Sequence, residues 1–395
     1  MTLQQRRILL RIVVTQFLSS LADSALLVVA IALLTERHAS LWMLPALRLF
    51  FYGASVLMAP ITSIFVDRYP KEQILVVTSM AKFVGCALLV LQVHPLVAYA
   101  LVGTSAAAYV PAKYGMLPEL LPADALVCGN AWLEVSTVLS VLLGIGIGSY
   151  LLSNDLLAGL LPKESVMLHA AVVILAIYAL TVATSSTIPA TGCARHTAAV
   201  DTHRYVLRFY LDQQRLWRDP EGCVAITVTC LFWAAAATLQ FIVLRWGQEV
   251  AHLSLSQASL LQLPVALGLV TGALAAGRWI TLPSVVKLLP IGLAVGGTLI
   301  GLSTAHDLFI VAGLLTAVGV LSGLLLIPMN ALLQHRGALL MPAGQSISVQ
   351  SFSENLVSTV FLSAYGALST FGTPVTGVIA GLGVLVIVTI LMMLM

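Results

Sequence analysis

The sequence predicts an all-α membrane protein, with twelve transmembrane helices arranged as two six-helix halves. Three observations predict it. Of 395 residues, 59% are hydrophobic and only 9% charged, and mean hydropathy is +1.02; a soluble domain carries roughly 25% charged residues. Apolar runs long enough to cross a bilayer recur twelve times, six on each side of a polar connector. Lysine and arginine gather on alternate loops. This composition excludes a cytosolic enzyme, a disordered chain and a secreted disulfide scaffold. Helices are expected because a spanning helix satisfies its own backbone polar groups where no water can.

The first apolar run, about 8–34, follows Arg6, Arg7 and Arg11. It is too long for a cleaved signal peptide and contains Asp23, so it reads as the first span. Runs at about 41–66, 74–91, 96–112, 127–152 and 166–188 complete the first half. The second half has runs at about 223–246, 256–280, 285–303, 308–333, 344–370 and 374–395. The expected domains are therefore 1–188, a connector over 189–222, and 223–395. Fourteen lysines and arginines fall on the side that holds both termini and the connector, and three (Arg37, Lys163 and Arg245) on the other. By the positive-inside rule this puts both termini in the cytoplasm.

In the connector, Arg204, Arg208, Arg215 and Arg218 alternate with Tyr205, Phe209, Leu211, Leu216 and Trp217. The pattern predicts a basic amphipathic helix suited to an anionic inner leaflet, or simply a tether between the halves. A repeat is also legible. Pro111 and Pro328 close spans 4 and 10 at an offset of 217, and the same offset carries Asp23 onto Gln240. The five cysteines avoid the outer loops, so no disulfide is expected.

Ionisable residues inside spans are costly and default to function. Asp23, Arg48, Lys82, Glu134 and Glu354 are the candidates, with Lys113 at the cytoplasmic end of span 4 and Glu119 beyond it. The competing reading is a structural ion pair, such as Asp23 with Lys82, that locks helices together. Gln16, Gln240, Gln350 and Asn355 could line a cavity or hydrogen-bond between helices. Ser79-Met-Ala-Lys82 fits S-x-x-K without its companion motifs. Gly144-x-Gly-x-Gly148 has no strand before it. Cys193 and His196 lack further metal ligands nearby. No enzyme, cofactor, metal site or nucleic-acid partner is expected.

The layout resembles the major facilitator superfamily, whose signature between spans 2 and 3 is roughly G-x-x-x-D-R-x-G-R-[KR]. Here Ser63-Ile-Phe-Val-Asp67-Arg68-Tyr-Pro70-Lys71-Glu72 keeps the Asp-Arg core, and Gly277-Arg278 is a candidate relic between spans 8 and 9. A narrower resemblance runs from span 1 to span 11. Gln16-Phe-Leu-Ser-x-x-x-Asp23, Tyr109-x-Pro111-Ala-Lys113-Tyr114-Gly115, Glu134-x-Ser-Thr, Asn330-Ala-Leu-Leu-Gln334-x-Arg336-Gly337 and Val349-Gln350-x-x-x-Glu354-Asn355 are similar to the lysophospholipid transporter (LplT) family. The resemblance implies a flippase of the bacterial inner membrane. It would move lysophosphatidylethanolamine to the inner leaflet by alternating access, for re-acylation by a cytoplasmic-face acyltransferase or acyl-ACP synthetase.

On that reading Asp23 and Glu354 suit an ammonium group, Lys82 and Arg48 suit a phosphate, and Glu134, Gln240 and Asn355 complete the cavity. Asp67, Arg68, Lys113 and Glu119 would act as a gate. The family carries a span-7 cation near Gln240; this chain lacks it and has Arg48 in span 2, which is expected to point inward. Two alternatives remain at this stage: a proton-driven exporter of drugs or other amphiphiles, and a non-transporting scaffold for an acyltransferase.

Overall fold

A computed structural model describes residues 2–36, 43–153, 163–190 and 205–395. The helices follow the expected order. The first six are α1 (Leu3–Glu36), α2 (Met43–Arg68), α3 (Lys71–Val90), α4 (Pro95–Leu120), α5 (Leu126–Ser153) and α6 (Lys163–Ser186). The connector helix α7 spans Tyr205–Arg218. The remaining helices are α8 (Pro220–Glu249), α9 (Leu255–Leu260), α10 (Gln262–Trp279), α11 (Pro290–Thr304), α12 (Leu308–Leu340), α13 (Ala343–Thr370) and α14 (Val375–Leu394). Among the described residues nine helices are long and apolar enough to cross a membrane. The 3₁₀ turn Leu282–Leu288 and α11, bent by 42°, pass the same test only together, as a broken span or a re-entrant loop. The polar helix α13, rich in serine and carrying Gln345, Gln350, Glu354 and Asn355, is not among the nine.

Two boundaries correct the sequence reading. Pro111 and Pro328 lie inside α4 and α12 rather than closing them, and the helices continue to Leu120 and Leu340. Proline removes one intrahelical hydrogen bond, but it is tolerated within spans where neighbouring elements satisfy the freed group. Both prolines are buried. The proposed repeat finds a matching register elsewhere: Asp23 and Gln240 each lie twenty residues past the first residue of their helix.

The chain divides into two compact units. The first comprises Met1–Leu121, Ser136–Asp212 and Met341–Ser351. In it α6 packs on both α1 and α3, and α4 packs on α2 and α3. Its core is built from small and aliphatic residues of these helices, Ala22, Ala25, Leu26 and Val29 among them, with the Tyr178 ring fully buried. The second unit comprises Pro122–Val135, Gln213–Leu340 and Phe352–Met395, with α12 central against α8, α10 and α11.

Close helix approach depends on glycine at four-residue spacing. Gly268 and Gly272 of α10 face Gly319 and Gly323 of α12, and a Cβ on any of the four would collide with backbone of the other helix. In a bilayer there is no hydrophobic force between helices, so packing at this range supplies much of the association. Gly144 and Gly148 of α5 do the same against α1, while Gly146 faces open space. The Gly-x-Gly-x-Gly run is therefore a packing seam. Gly319→Ala should destabilise the purified protein by about 1–3 kcal/mol, the usual cost of overpacking. Gly297→Ala, with nothing within 4 Å of the added methyl, should leave the melting temperature unchanged in the same detergent.

Candidate functional site

Asp23 stands in the membrane-spanning part of α1 and draws three other helices to it. Lys82 of α3 places its Nζ 2.6 Å from Asp23 Oδ2 and donates to Ser19 Oγ at 2.9 Å. Tyr178 of α6 donates its hydroxyl to Asp23 Oδ1 at 2.7 Å. The ring of Tyr109 from α4 lies 4.7 Å from the lysine nitrogen, a cation–π contact. The Lys82 side chain is 2% exposed and that of Asp23 18%. Each charge thus has an opposite charge and a hydroxyl, the condition for keeping an ion pair out of water. As placed here, Lys82 is fully engaged, and it could meet an incoming phosphate only once the pair opens.

Gln16, two turns before Asp23, donates to Ser20 Oγ (2.6 Å) and to Thr137 Oγ1 of α5 (3.1 Å), an interhelical role. Arg48 lies in α2, but its side chain is outside the described residues. Glu134, Gln240, Glu354 and Asn355 belong to the second unit. Glu134 is buried in α5, and the other three are half-buried on α8 and α13.

A second cluster sits where α2, α3, α4 and α13 meet within the first unit. Asp67 Oδ1 accepts the backbone N–H of Gly344 at 3.0 Å, and Oδ2 accepts that of Gln345 at 2.8 Å. These are free donors of the first turn of α13, so Asp67 caps that helix from another one and faces the positive end of its dipole. Lys71 Nζ lies 3.0 Å from Asp67 and 2.5 Å from Glu119. A Cβ on Gly344 would come within 2.7 Å of Asp67 Oδ1, and one on Gly115 within 3.4 Å of Gly344 Cα. Glycine at 344 is what lets the carboxylate reach the backbone.

Of the four residues read as a gate, Asp67 and Glu119 join this cluster. Arg68 is exposed at the end of α2, and buried Lys113 stacks its Nζ 4.1 Å from the ring of Tyr114. The bridging residue, Lys71, was visible as the basic position one helical turn after Asp67.

The second unit has its own cluster at the ends of α10 and α12. Asn130 of α5 and Gln334 of α12 exchange amide hydrogen bonds at 2.8 and 2.7 Å, both side chains being buried. A Cβ on Gly277 would lie 2.7 Å from Ala131 of α5, so the Gly277-Arg278 stretch presses on α5. Nearby, Arg336 pairs with Asp219, the N-cap of α8, and its guanidinium holds that carboxyl below the ordinary range. Sequence reasoning missed Tyr178 and Asn130, and gave no role to Ser19, Tyr109 and Gln334, which stand within the runs that carry the family resemblance. Nothing local marks Tyr178, which meets Asp23 across 155 residues.

Spanning helices in two units, with a buried charge pair inside one bundle and polar clusters at helix ends, define a polytopic membrane transporter. A profile of the Major Facilitator Superfamily matches residues 12–337. Lysophospholipid transporter LplT of Klebsiella pneumoniae is 33% identical over 383 residues, covering 97% of this chain and 94% of that protein. LplT of Citrobacter koseri is 34% identical over 376 residues, covering 95% and 92%. The human organic anion transporter MFSD10 superposes with a TM-score of 0.76 at 15% identity, covering 98% of this chain and 100% of that one. The Escherichia coli fucose:proton symporter gives 0.75 at 11%, covering 98% and 97%. The chain belongs to the lysophospholipid transporter (LplT) family of the major facilitator superfamily.

The charge pair makes a stability prediction. Lys82→Ala leaves Asp23 buried with only a tyrosine, and should cost about 3–5 kcal/mol. Lys82→Ala combined with Asp23→Asn should recover much of that loss, as read by thermal melting of the purified proteins.

Proposed function

We propose that this protein transports lysophospholipids, chiefly lysophosphatidylethanolamine, from the outer to the inner leaflet of a bacterial inner membrane by alternating access. Both termini would be cytoplasmic, as the distribution of lysine and arginine implies. The chain works as a carrier, not an enzyme, and hands its cargo to a cytoplasmic-face acyltransferase or acyl-ACP synthetase that restores the diacyl lipid. The observation that carries this reading is the intramembrane pair Asp23–Lys82 in a chain similar over nearly its whole length to LplT proteins.

A zwitterionic headgroup brings an ammonium and a phosphate together. It can therefore replace both members of the pair at once, without stranding either charge in low dielectric. Asp23 and Glu354 take the ammonium, and Lys82 and Arg48 the phosphate. Glu134, Gln240 and Asn355 supply the remaining polar lining. Asp67 and Glu119, bridged by Lys71, hold the start of α13 and release it as the carrier turns over, with Arg68 at the end of α2 and Lys113 two turns back in α4 completing the gate.

The test is uptake of labelled lysophosphatidylethanolamine by spheroplasts with and without this chain, followed by its conversion to diacyl lipid. Asp23→Asn and Lys82→Ala should each lower uptake by well over tenfold per molecule of protein in the membrane, since tenfold requires only about 1.4 kcal/mol. Normal uptake in both variants would reduce the pair to a helix lock. Arg48→Gln should also impair uptake, and adding Gln240→Arg should restore it by returning the cation to α8. An unimpaired Arg48→Gln would mean that Arg48 reaches outward to the headgroups instead.

A further inference from the structure

We propose that the outer face of connector helix α7 is a binding surface for anionic phospholipid, with the helix lying in the headgroup layer of the leaflet beside it. The helix turns about 100° per residue, which sorts its side chains into two faces. Phe209, Asp212 and Leu216 form one, and all three are buried against the protein. Gln213 at its edge donates to Ser353 Oγ of α13 at 2.8 Å, and Asp219, just past the last residue, is tied to Arg336. The helix is therefore fixed in rotation, and what it turns outward is not adjustable.

The outward face carries Val206, Leu207, Tyr210, Leu211 and Trp217, between 38% and 68% exposed. Large apolar side chains on a helix that already has a buried face need a second apolar surface. Arg215 and Arg218 are exposed and Arg208 half-buried; at about 100° per residue Arg208 and Arg215 fall along one border of the apolar arc, and Arg218 lies within it between Leu207 and Leu211. Aromatic rings beside arginines match the boundary between acyl chains and negatively charged headgroups.

Position supplies the second argument. Asp219 alone separates α7 from Pro220, the first residue of spanning helix α8. The helix is thus tethered to the bilayer boundary whichever way the protein is oriented. An anionic leaflet attracts each arginine near its surface, and the apolar arc adds burial. The inference stands on α7 alone and does not require the transport reading.

The experiment is hydrogen–deuterium exchange of the full chain in nanodiscs, one set of phosphatidylcholine and one containing phosphatidylglycerol. The amides of 205–218 should exchange at least about tenfold more slowly with the anionic lipid, and high salt should erase the difference. Helix α14 serves as the reference and should not change. A variant with Arg208→Gln, Arg215→Gln and Arg218→Gln should lose the lipid dependence while exchange across α8 and α14 stays as in the parent. Exchange over 205–218 that is equal in both lipids, or protection indifferent to salt, overturns the proposal. That outcome would assign the face to a protein partner or to packing alone.

Discussion

A charge inside a bilayer cannot be left to water, and Asp23 shows what that requires. Its two oxygens are taken by Lys82 and Tyr178, and Lys82 in turn by Ser19 and the Tyr109 ring. One carboxylate thereby ties together four helices that the chain visits at widely separated points. The pair is held by mutual need, because removing either partner leaves the other unsolvated. It is also breakable, since any ligand that supplies both charges meets the same need. On the proposed function, a structural ion pair and a substrate site would be two states of one arrangement, with the zwitterionic cargo exchanging one for the other.

Glycine governs the rest of the packing. Where two spans cross closely, as α10 and α12 do at Gly268, Gly272, Gly319 and Gly323, the absence of a side chain lets backbones touch. The Asp67 cluster applies the same rule to a polar contact. Gly344 is small so that a carboxylate from α2 can cap α13. This arrangement joins the Asp-Arg signature, the Pro-Ala-Lys-Tyr-Gly run and the start of the polar helix in one place. Three stretches that look unrelated along the chain are parts of one contact.

Much of this was legible beforehand. Hydropathy alone located the helices to within a few residues, because burial in lipid demands long apolar runs and nothing else does. Two proline positions misled. A proline at the end of an apolar run reads as a stop, but the helices α4 and α12 carry on past it, and hydropathy does not register that continuation. Of the candidate site, the ionisable residues were found by their unusual location and the Asp23–Lys82 pair was among the readings, while the hydroxyl and ring that complete it were not. Tyr178 is one of ten tyrosines, and only its contact with Asp23 distinguishes it.

The sequence by itself determined the fold class, the order of the helices, the family and the identity of the charges in the membrane. The fold class, the helix order and the charges follow from composition and local pattern, and the family from motifs that resemble those of its members. Tertiary structure alone decided which charges meet. It paired Asp23 with Lys82, made Lys71 rather than Arg68 the bridge to Glu119, and turned Leu207, Tyr210 and Trp217 of α7 outward while burying Phe209 and Leu216. The physical reason is that pairing depends on how helices rotate and approach. Side chains far apart in the chain set that rotation, through glycine contacts and hydrogen bonds that leave no local periodic trace.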